Sequence, residues 1–362
     1  MNQKRGAKIG RSTAIVALVI AGFLLTLTEA SGQSAMLSLP DLSPHERVLE
    51  RVGITDITID YHRPLARGRK IFGGLLPYGK VWRAGADQNT TIEFTDPVTI
   101  NGRPLAKGIY GVHMIPGENS WVIVFSKNST SWGSFTYDQA EDALRVNVAP
   151  QTAEYQEALS YAFSHPQADS IVVTMRWEKV VVPFTIGVNT SEIVEASLRN
   201  QLRGRPQFEW QPWEEAANYL LENKLDADEA LKYAEQSIAV EDRFENEITK
   251  ARALNALGRK DEALAAQNKA VAMGNQPQMF SFARVLQGFG QQDFAMEIFR
   301  LDASKDPNSY LAHDALARVA MANGDYEGAL KEMKLALAVA SGGTKGQVAD
   351  LVRQLEEKID IN

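Results

Sequence analysis

The sequence predicts an α+β chain in two domains, an antiparallel β-sandwich or barrel-like domain followed by an all-α helical solenoid. Three observations carry this. At 362 residues the chain exceeds one typical domain. From Glu46 to Val188 apolar and polar residues alternate with a period of two. After Gln211 the period becomes helical and the sequence repeats itself every 32–34 residues. With 44% hydrophobic and 23% charged residues, both parts have the composition of packed globular protein rather than disordered chain.

The N-terminal stretch stands apart. Lys4, Arg5, Lys8 and Arg11 precede an apolar run from Ala14 to Leu27 and then small and polar residues. A basic start, a short apolar core and a small-residue exit are the layout of a secretory signal peptide, expected over residues 1–32. The alternative is an uncleaved N-terminal membrane anchor, since the run is only slightly short of a bilayer span. The chain has no cysteine, so no disulfide and no lipidated cysteine is available. The expected location is therefore periplasmic or secreted, soluble after cleavage and with no stable membrane insertion. Losing residues 1–32 takes the formal charge from −7 to −10. So acidic a protein repels nucleic acid at long range, and none is expected as a partner.

In the first domain, expected over 39–188, Ile57, Ile59 and Tyr61 alternate with Thr58, Asp60 and His62, as in a half-buried strand. Similar runs are Thr90–Phe94, Ile109–Ile115, Trp121–Phe125, Leu144–Val148, Leu159–Phe163, Ile171–Trp177 and Val180–Ile186. Asn101-Gly102, Lys107-Gly108, Pro116-Gly117 and His165-Pro166 supply turns. A short helix is expected near Tyr137–Ala143.

The stretches TDITIDYHRP, GRKIFGGLLPYGKVWRAGADQNTTIEF, KGIYGVHMIPGENSWVIVFSK and WGSFTYDQAEDALRV resemble an uncharacterised bacterial family, the domain of unknown function numbered 2911. The resemblance covers roughly Leu39–Val188. It implies an exported β-rich module and brings no activity, so no catalytic residue follows from it.

Arg67–Phe94 concentrates the chemistry. Arg63, Arg67, Arg69 and Lys70 form a basic run beside Gly73-Gly74, readable as an anion-binding rim or as a solvated loop paired with acidic neighbours. Trp82 and Arg83, with Asp87, Gln88 and Asn89 close behind, suit a stacked sugar-like ring, or else a core tryptophan followed by a turn. Trp132 and Tyr137 are a second aromatic pair of the same kind. Alternation places His113 on the face of Ile109 and Ile115, which points it inward. The ligand-binding candidates are thus Arg69, Lys70, Trp82, Arg83, Asn89, His113, Trp132 and Tyr137. His62 and Asp60 share a face and would suit a metal or an acid–base pair. No G-x-S-x-G elbow, zinc-ribbon spacing, Walker loop or dinucleotide fingerprint occurs. The catalytic residues are unknown, and neither a metal nor a cofactor is expected.

Thr190–Pro206 is more charged and reads as a linker over 189–206, with a helix over Glu192–Leu202. The aligned alanines Ala230, Ala263, Ala295 and Ala329 are 33, 32 and 34 residues apart. Gly258, Gly290 and Gly324 precede three of them by five residues, and Asn218, Ala251, Ala283 and Ala317 lie twelve before. These residues resemble tetratricopeptide repeats over 207–341, with Leu225 at the glycine position of a degenerate first unit. A capping helix follows over 342–362, with Val348, Leu351 and Leu355 on one face. The resemblance implies a groove for a protein or peptide partner, with Asn218, Arg252, Arg284 and His313 as candidate groove positions. The expectation is a non-catalytic exported binding module on a helical scaffold, with a small-molecule or carbohydrate ligand at the β-domain. The alternative is a hydrolase or isomerase acting on a small or saccharide-like ligand there.

Overall fold

The computed structural model describes residues 40–362, so the signal peptide or anchor expected over 1–32 lies outside the described residues. Among the described residues, no helix is long and apolar enough to cross a membrane.

Ten strands build the first domain: β1 His45–Val52, β2 Thr55–His62, β3 Thr91–Phe94, β4 Val98–Ile100, β5 Arg103–Leu105, β6 Gly108–Ile115, β7 Trp121–Ser126, β8 Asp142–Val148, β9 Gln151–Ser164 and β10 Ser170–Val188. They form two antiparallel sheets, ordered β1-β2-β3-β6-β7-β8 and β5-β4-β10-β9. One apolar cluster joins them. Ile59, Phe94, Val112 and Ile123 of the first sheet share it with Leu159, Val173, Phe184 and Ile186 of the second. This is the layering that period-two patterning demands, since each sheet must bury one face.

The Asn101-Gly102 pair closes the β4–β5 hairpin with both residues at positive φ, as a two-residue turn requires. Two local expectations change. Ile171–Trp177 and Val180–Ile186 belong to one strand, β10, whose register shifts around Glu178 at φ 54. The apparent break is a bulge within a strand. The helix expected near Tyr137–Ala143 is a single 3-10 turn at Gln139–Glu141, because Asp142 already begins β8. Trp82 lies on no strand; it makes one isolated bridge to Met114, at 2.9 Å and 2.7 Å.

Residues 63–90 connect β2 to β3 without regular structure, and Ala66, Ile71, Phe72, Trp82 and Ala84 pack into the sandwich cluster. A connection this long inside a compact domain is commonly functional. It is pinned to both sheets: Ala66 N–H donates to Glu157 O (2.8 Å), Ile71 N–H to Glu178 Oε2 (3.1 Å) and Gly79 N–H to Pro116 O (2.8 Å). Ile71 and Phe72 plug into the core, where Phe72 packs edge-on against Trp121 at 4.8 Å.

The second part is helical. Helix α1, Thr190–Gln201, contributes Ile193 to the sandwich cluster, and its Leu198 packs on the first helical cluster. Four helix pairs follow: α2 Trp210–Glu222 with α3 Ala227–Val240, α4 Phe244–Ala256 with α5 Lys260–Met273, α6 Gln276–Gly288 with α7 Gln292–Lys305, and α8 Tyr310–Ala322 with α9 Tyr326–Val339. Helix α10, Gly342–Glu356, caps the array and buries Val348, Val352 and Leu355. The repeated alanines Ala230, Ala263, Ala295 and Ala329 are fully buried where helices touch. Gly258, Gly290 and Gly324 hold φ between 74° and 76° at the inter-helix turn, which explains their recurrence. In the first unit Lys224 takes that conformation (φ 54), and Leu225 follows as one extra residue before the N-cap Asp226. The missing glycine reflects a longer turn.

Candidate functional site

Residues 63–90 meet segment 127–138 and border two clefts, of which only the smaller is shared with that segment. The smaller, about 190 Å³, lies between Leu76, Pro77 and Val81 on one side and Ser134 and Phe135 on the other. The larger, about 420 Å³, is walled by Arg67, Arg69, Leu75, Asp87 and Trp177. Leu76, Trp82 and Arg83 line both.

Trp82 is 7% exposed. Its ring stacks on Trp177 at 5.8 Å and meets Phe72 edge-on at 6.2 Å, and its indole N–H donates to Gly85 O at 3.0 Å. The ring is a core pillar whose edge reaches the clefts, not a stacking platform open to solvent. Arg83 follows it outward. The guanidinium lies over the Trp132 ring, 5.6 Å from its centroid, while its Nε is buried without a partner. Burial holds its pKa below the usual arginine value, partly opposed by the Asp87 carboxylate. Gly133 stands at φ 75, where a Cβ would crowd the Phe135 ring at 3.0 Å and Arg83 Nη1 at 3.2 Å.

The basic run divides. Arg63 turns away, donating to Leu159 O (3.0 Å) and pairing with Glu46 (3.1 Å). Arg67 and Arg69 line the larger cleft, and Arg69 braces the loop by donating to Ala66 O (2.9 Å) and Leu65 O (2.7 Å). Lys70 is exposed and lines neither cleft. Gly73-Gly74 is not a ligand cradle. A Cβ on Gly73 would strike the Tyr78 ring at 2.7 Å, and one on Gly74 would meet Lys70 O at 2.4 Å, so tight loop packing accounts for both.

His113 is 2% exposed, on a different face from the one alternation suggested. The sandwich interior takes Tyr110, Val112 and Met114; Ile109, on the face of His113, is 51% exposed. Segment 127–138 buries His113 from outside. Its Nδ1 lies 3.0 Å from Ser134 Oγ, and the Tyr137 ring stands edge-on at 5.2 Å. Burial pushes its pKa down to about 4, so the ring is neutral across the physiological range. The Tyr137 hydroxyl donates to Asp142 Oδ2 (2.8 Å) and accepts from Arg145 Nη2 (3.0 Å). Asn89 is buried under the same segment, its Nδ2 donating to Asn128 O (3.2 Å). His113, Tyr137 and Asn89 are thus positioning residues that fix the segment carrying Trp132. Asp60 pairs with His45 Nε2 (2.7 Å) rather than with His62, so the acid–base pair suggested by the sequence does not form. Among the described residues, no three metal-ligating side chains gather within coordinating reach.

Pattern reading missed Phe135. It is 81% exposed and stacks on Trp132, itself 60% exposed, at 6.0 Å and 16°. The signal was present in Trp132-Gly-Ser-Phe135, two aromatics bracketing a tight turn. Tyr78 and Leu75 add exposed apolar surface from the facing loop. The site is an aromatic rim around a half-buried arginine, with two further arginines in the adjoining cleft.

In the helical array Asn218 is buried and accepts from Arg252 Nη1 (3.0 Å), Arg252 packs over Phe294 (3.6 Å), and His313 Nδ1 contacts Glu332 Oε2 (2.8 Å). Of the four candidate groove positions, Arg284 alone is well exposed.

Residues 43–186 match the model of the family described as "Protein of unknown function (DUF2911)". No curated protein matches the sequence. Among solved structures, the chain is similar to the APC/C hetero-tetramer Cut9-Hcn1 (TM-score 0.23, 18% identity, 44% of this chain and 32% of that one). It is also similar to MamA (TM-score 0.23, 16% identity, 42% of this chain and 87% of that one). A third is YrrB, a TPR protein with an unusual peptide-binding site (TM-score 0.22, 14% identity, 44% of this chain and 87% of that one). The chain therefore spans about a third of the Cut9-Hcn1 match and most of the other two.

Proposed function

Taking residues 43–186 as a DUF2911 domain joined to a tetratricopeptide-like array, we propose that the chain is a binding module, not a catalyst. Its β-domain takes a small anionic ligand with a ring-shaped or flat apolar face, and its helices hold a protein or peptide partner. One residue carries the first half: Arg83, a cation with an unpartnered buried Nε, set between two clefts and framed by the Trp132–Phe135 stack. A buried donor left without an acceptor is costly, and a bound carboxylate or phosphate would satisfy it bidentately. Arg67 and Arg69 against Asp87 give the larger cleft a net positive lining on an otherwise acidic chain. The aromatic rim supplies apolar contact for a ring.

Thermal unfolding in the presence of acidic oligosaccharides, neutral oligosaccharides and aromatic carboxylates tests this. Acidic members should raise the unfolding temperature of the wild type, because a ligand selective for the folded state adds stability, and should fail with Arg83→Gln. Equal shifts in both proteins, or none in the wild type, would overturn it.

The basic-then-apolar pattern of residues 1–32 supports action outside the cytoplasm. N-terminal sequencing of the protein from the producing cell should find a chain starting near residue 31 or 33. A chain starting at Met1 and sedimenting with membranes would support the anchor instead.

A further inference from the structure

The second half of that reading can be taken further at the far end of the array. Helix α10 ends at Glu356, and Lys358 (φ 57) turns the chain back. The segment Ile359–Asn362 then leaves helical structure and lies on α6 and α8. Ile361 is 5% exposed and packs in the cluster of Met321, Val352 and Leu355. Its carbonyl accepts from Arg318 Nη1, while Asn362 Nδ2 donates to Arg318 O (3.2 Å) and Asn362 Oδ1 accepts from Gln287 Nε2 (2.9 Å). The Arg318 guanidinium pairs first with Asp314 on its own helix (2.9 Å), and the Asp360 carboxylate adds a weaker attraction. An aliphatic side chain in an apolar pocket, with main-chain and amide groups read by an arginine and a glutamine, is how a groove holds an extended peptide.

The segment fills only part of the groove. Beyond it a cleft of about 350 Å³ continues between α6, α8 and α10, with Phe280, Tyr310, Leu311 and Leu351 on its walls and Arg318 at its edge. No residue of Ile359–Asn362 lines that cleft. Arg318 also belongs to a series. Ala251-Arg252, Ala283-Arg284 and Ala317-Arg318 each place an arginine six residues before the turn glycines Gly258, Gly290 and Gly324. Arg252 is engaged by Asn218 and Glu222. Arg284 is exposed and bonded to Gln287 (2.6 Å), the residue that also holds Asn362.

We propose that the groove of α6, α8 and α10 docks an extended peptide presenting a β-branched aliphatic residue beside a carboxylate, and that Ile359–Asn362 occupies one end of it in cis. A partner segment of this chemistry enters by displacing the chain's own, so affinity is lowered by the fraction of time the site is self-occupied.

The probe is a fluorescent peptide of the sequence from Leu355 to Asn362, titrated into the full wild-type chain and the full Ile361→Asp chain. Asp in place of Ile361 cannot enter the apolar pocket without desolvating a charge, so it evicts the segment. The peptide should bind Ile361→Asp at least tenfold more tightly than wild type, and Arg318→Gln added to that variant, which removes the donor to the Ile361 carbonyl, should remove the gain. Because Ile361→Asp also loosens the last helix pair, Asn362→Ala alone, which leaves the groove residue Gln287 in place for the probe, is the milder second variant, expected to show a smaller gain in the same direction. Peptide binding no stronger to either variant than to wild type would overturn the proposal. The broader scaffold reading, on which it rests, fails separately: the peptide binds as stated, yet neither chain cross-links to any protein of its native extract.

Discussion

Replacing Trp82 with alanine is expected to destabilise the β-domain by about 3–5 kcal/mol, the cost of truncating a buried tryptophan. The ring is shared by Trp177 and Phe72, and its loss leaves a cavity where both sheets and residues 63–90 converge. The Gly85 carbonyl would also lose its donor. Phe135→Ala is the matched control. At 81% exposure that side chain contributes little to the fold, and its removal should change stability by no more than about 0.5 kcal/mol. Denaturant unfolding of the two variants separates the roles of the aromatics. If Trp82→Ala proved as stable as wild type, the indole would be a surface platform and the core assignment would fail. A large loss from Phe135→Ala would mean that the 127–138 segment is held by its exposed Trp132–Phe135 stack rather than by His113, Asn89 and Tyr137.

Asp302→Asn should stabilise the helical array at alkaline pH by on the order of 2–4 kcal/mol. Asp302 on α7 is fully buried and neither carboxylate oxygen has a partner. Burial, reinforced by the nearby Asp314 carboxylate, pushes its pKa up to about 7. The folded state therefore binds the proton more tightly than the unfolded chain, whose carboxyl titrates near 3.8. Between those values stability falls as pH rises, because folding holds a proton that unfolding releases, and above about 7 the full cost is present. Glu214, buried on α2 and likewise pushed up to about 7, adds a slope of the same sign, so the informative quantity is the difference between variant and wild type. Urea unfolding at pH 5 and pH 9 should show Asp302→Asn gaining mainly at pH 9. An equal effect at both pH values would mean that the carboxyl does not titrate in this range.

Much of the architecture was legible because it rests on periodicity. Alternating apolar residues marked the inner strands, and recurrent alanine and glycine marked the helix contacts and turns. What escaped has physical causes. Strand β1, HERVLERV, sits at a sheet edge and leaves most of its side chains exposed, so it shows no clean alternation. Glu178 looked like the end of a strand because a bulge shifts the register without ending the pairing. His113 was assigned to the inner face because Ile109 and Ile115 share its parity, but parity cannot say which face a loop will cover. The site depends on two loops meeting. Arg83 and Trp132 could be named singly, whereas Phe135 and the unpartnered Arg83 Nε emerge only when residues 63–90 and 127–138 are seen together.

In the proposed mode of binding, Arg83 reads the charge of a ligand in these clefts. Calorimetric titration of the best acidic ligand from the thermal screen, into wild type and Arg83→Gln at two salt concentrations, tests it most directly. The expected result is at least tenfold weaker binding to the variant, roughly 1.4 kcal/mol or more, with a smaller loss of affinity on adding salt. Equal affinities and equal salt dependence in the two proteins would contradict it.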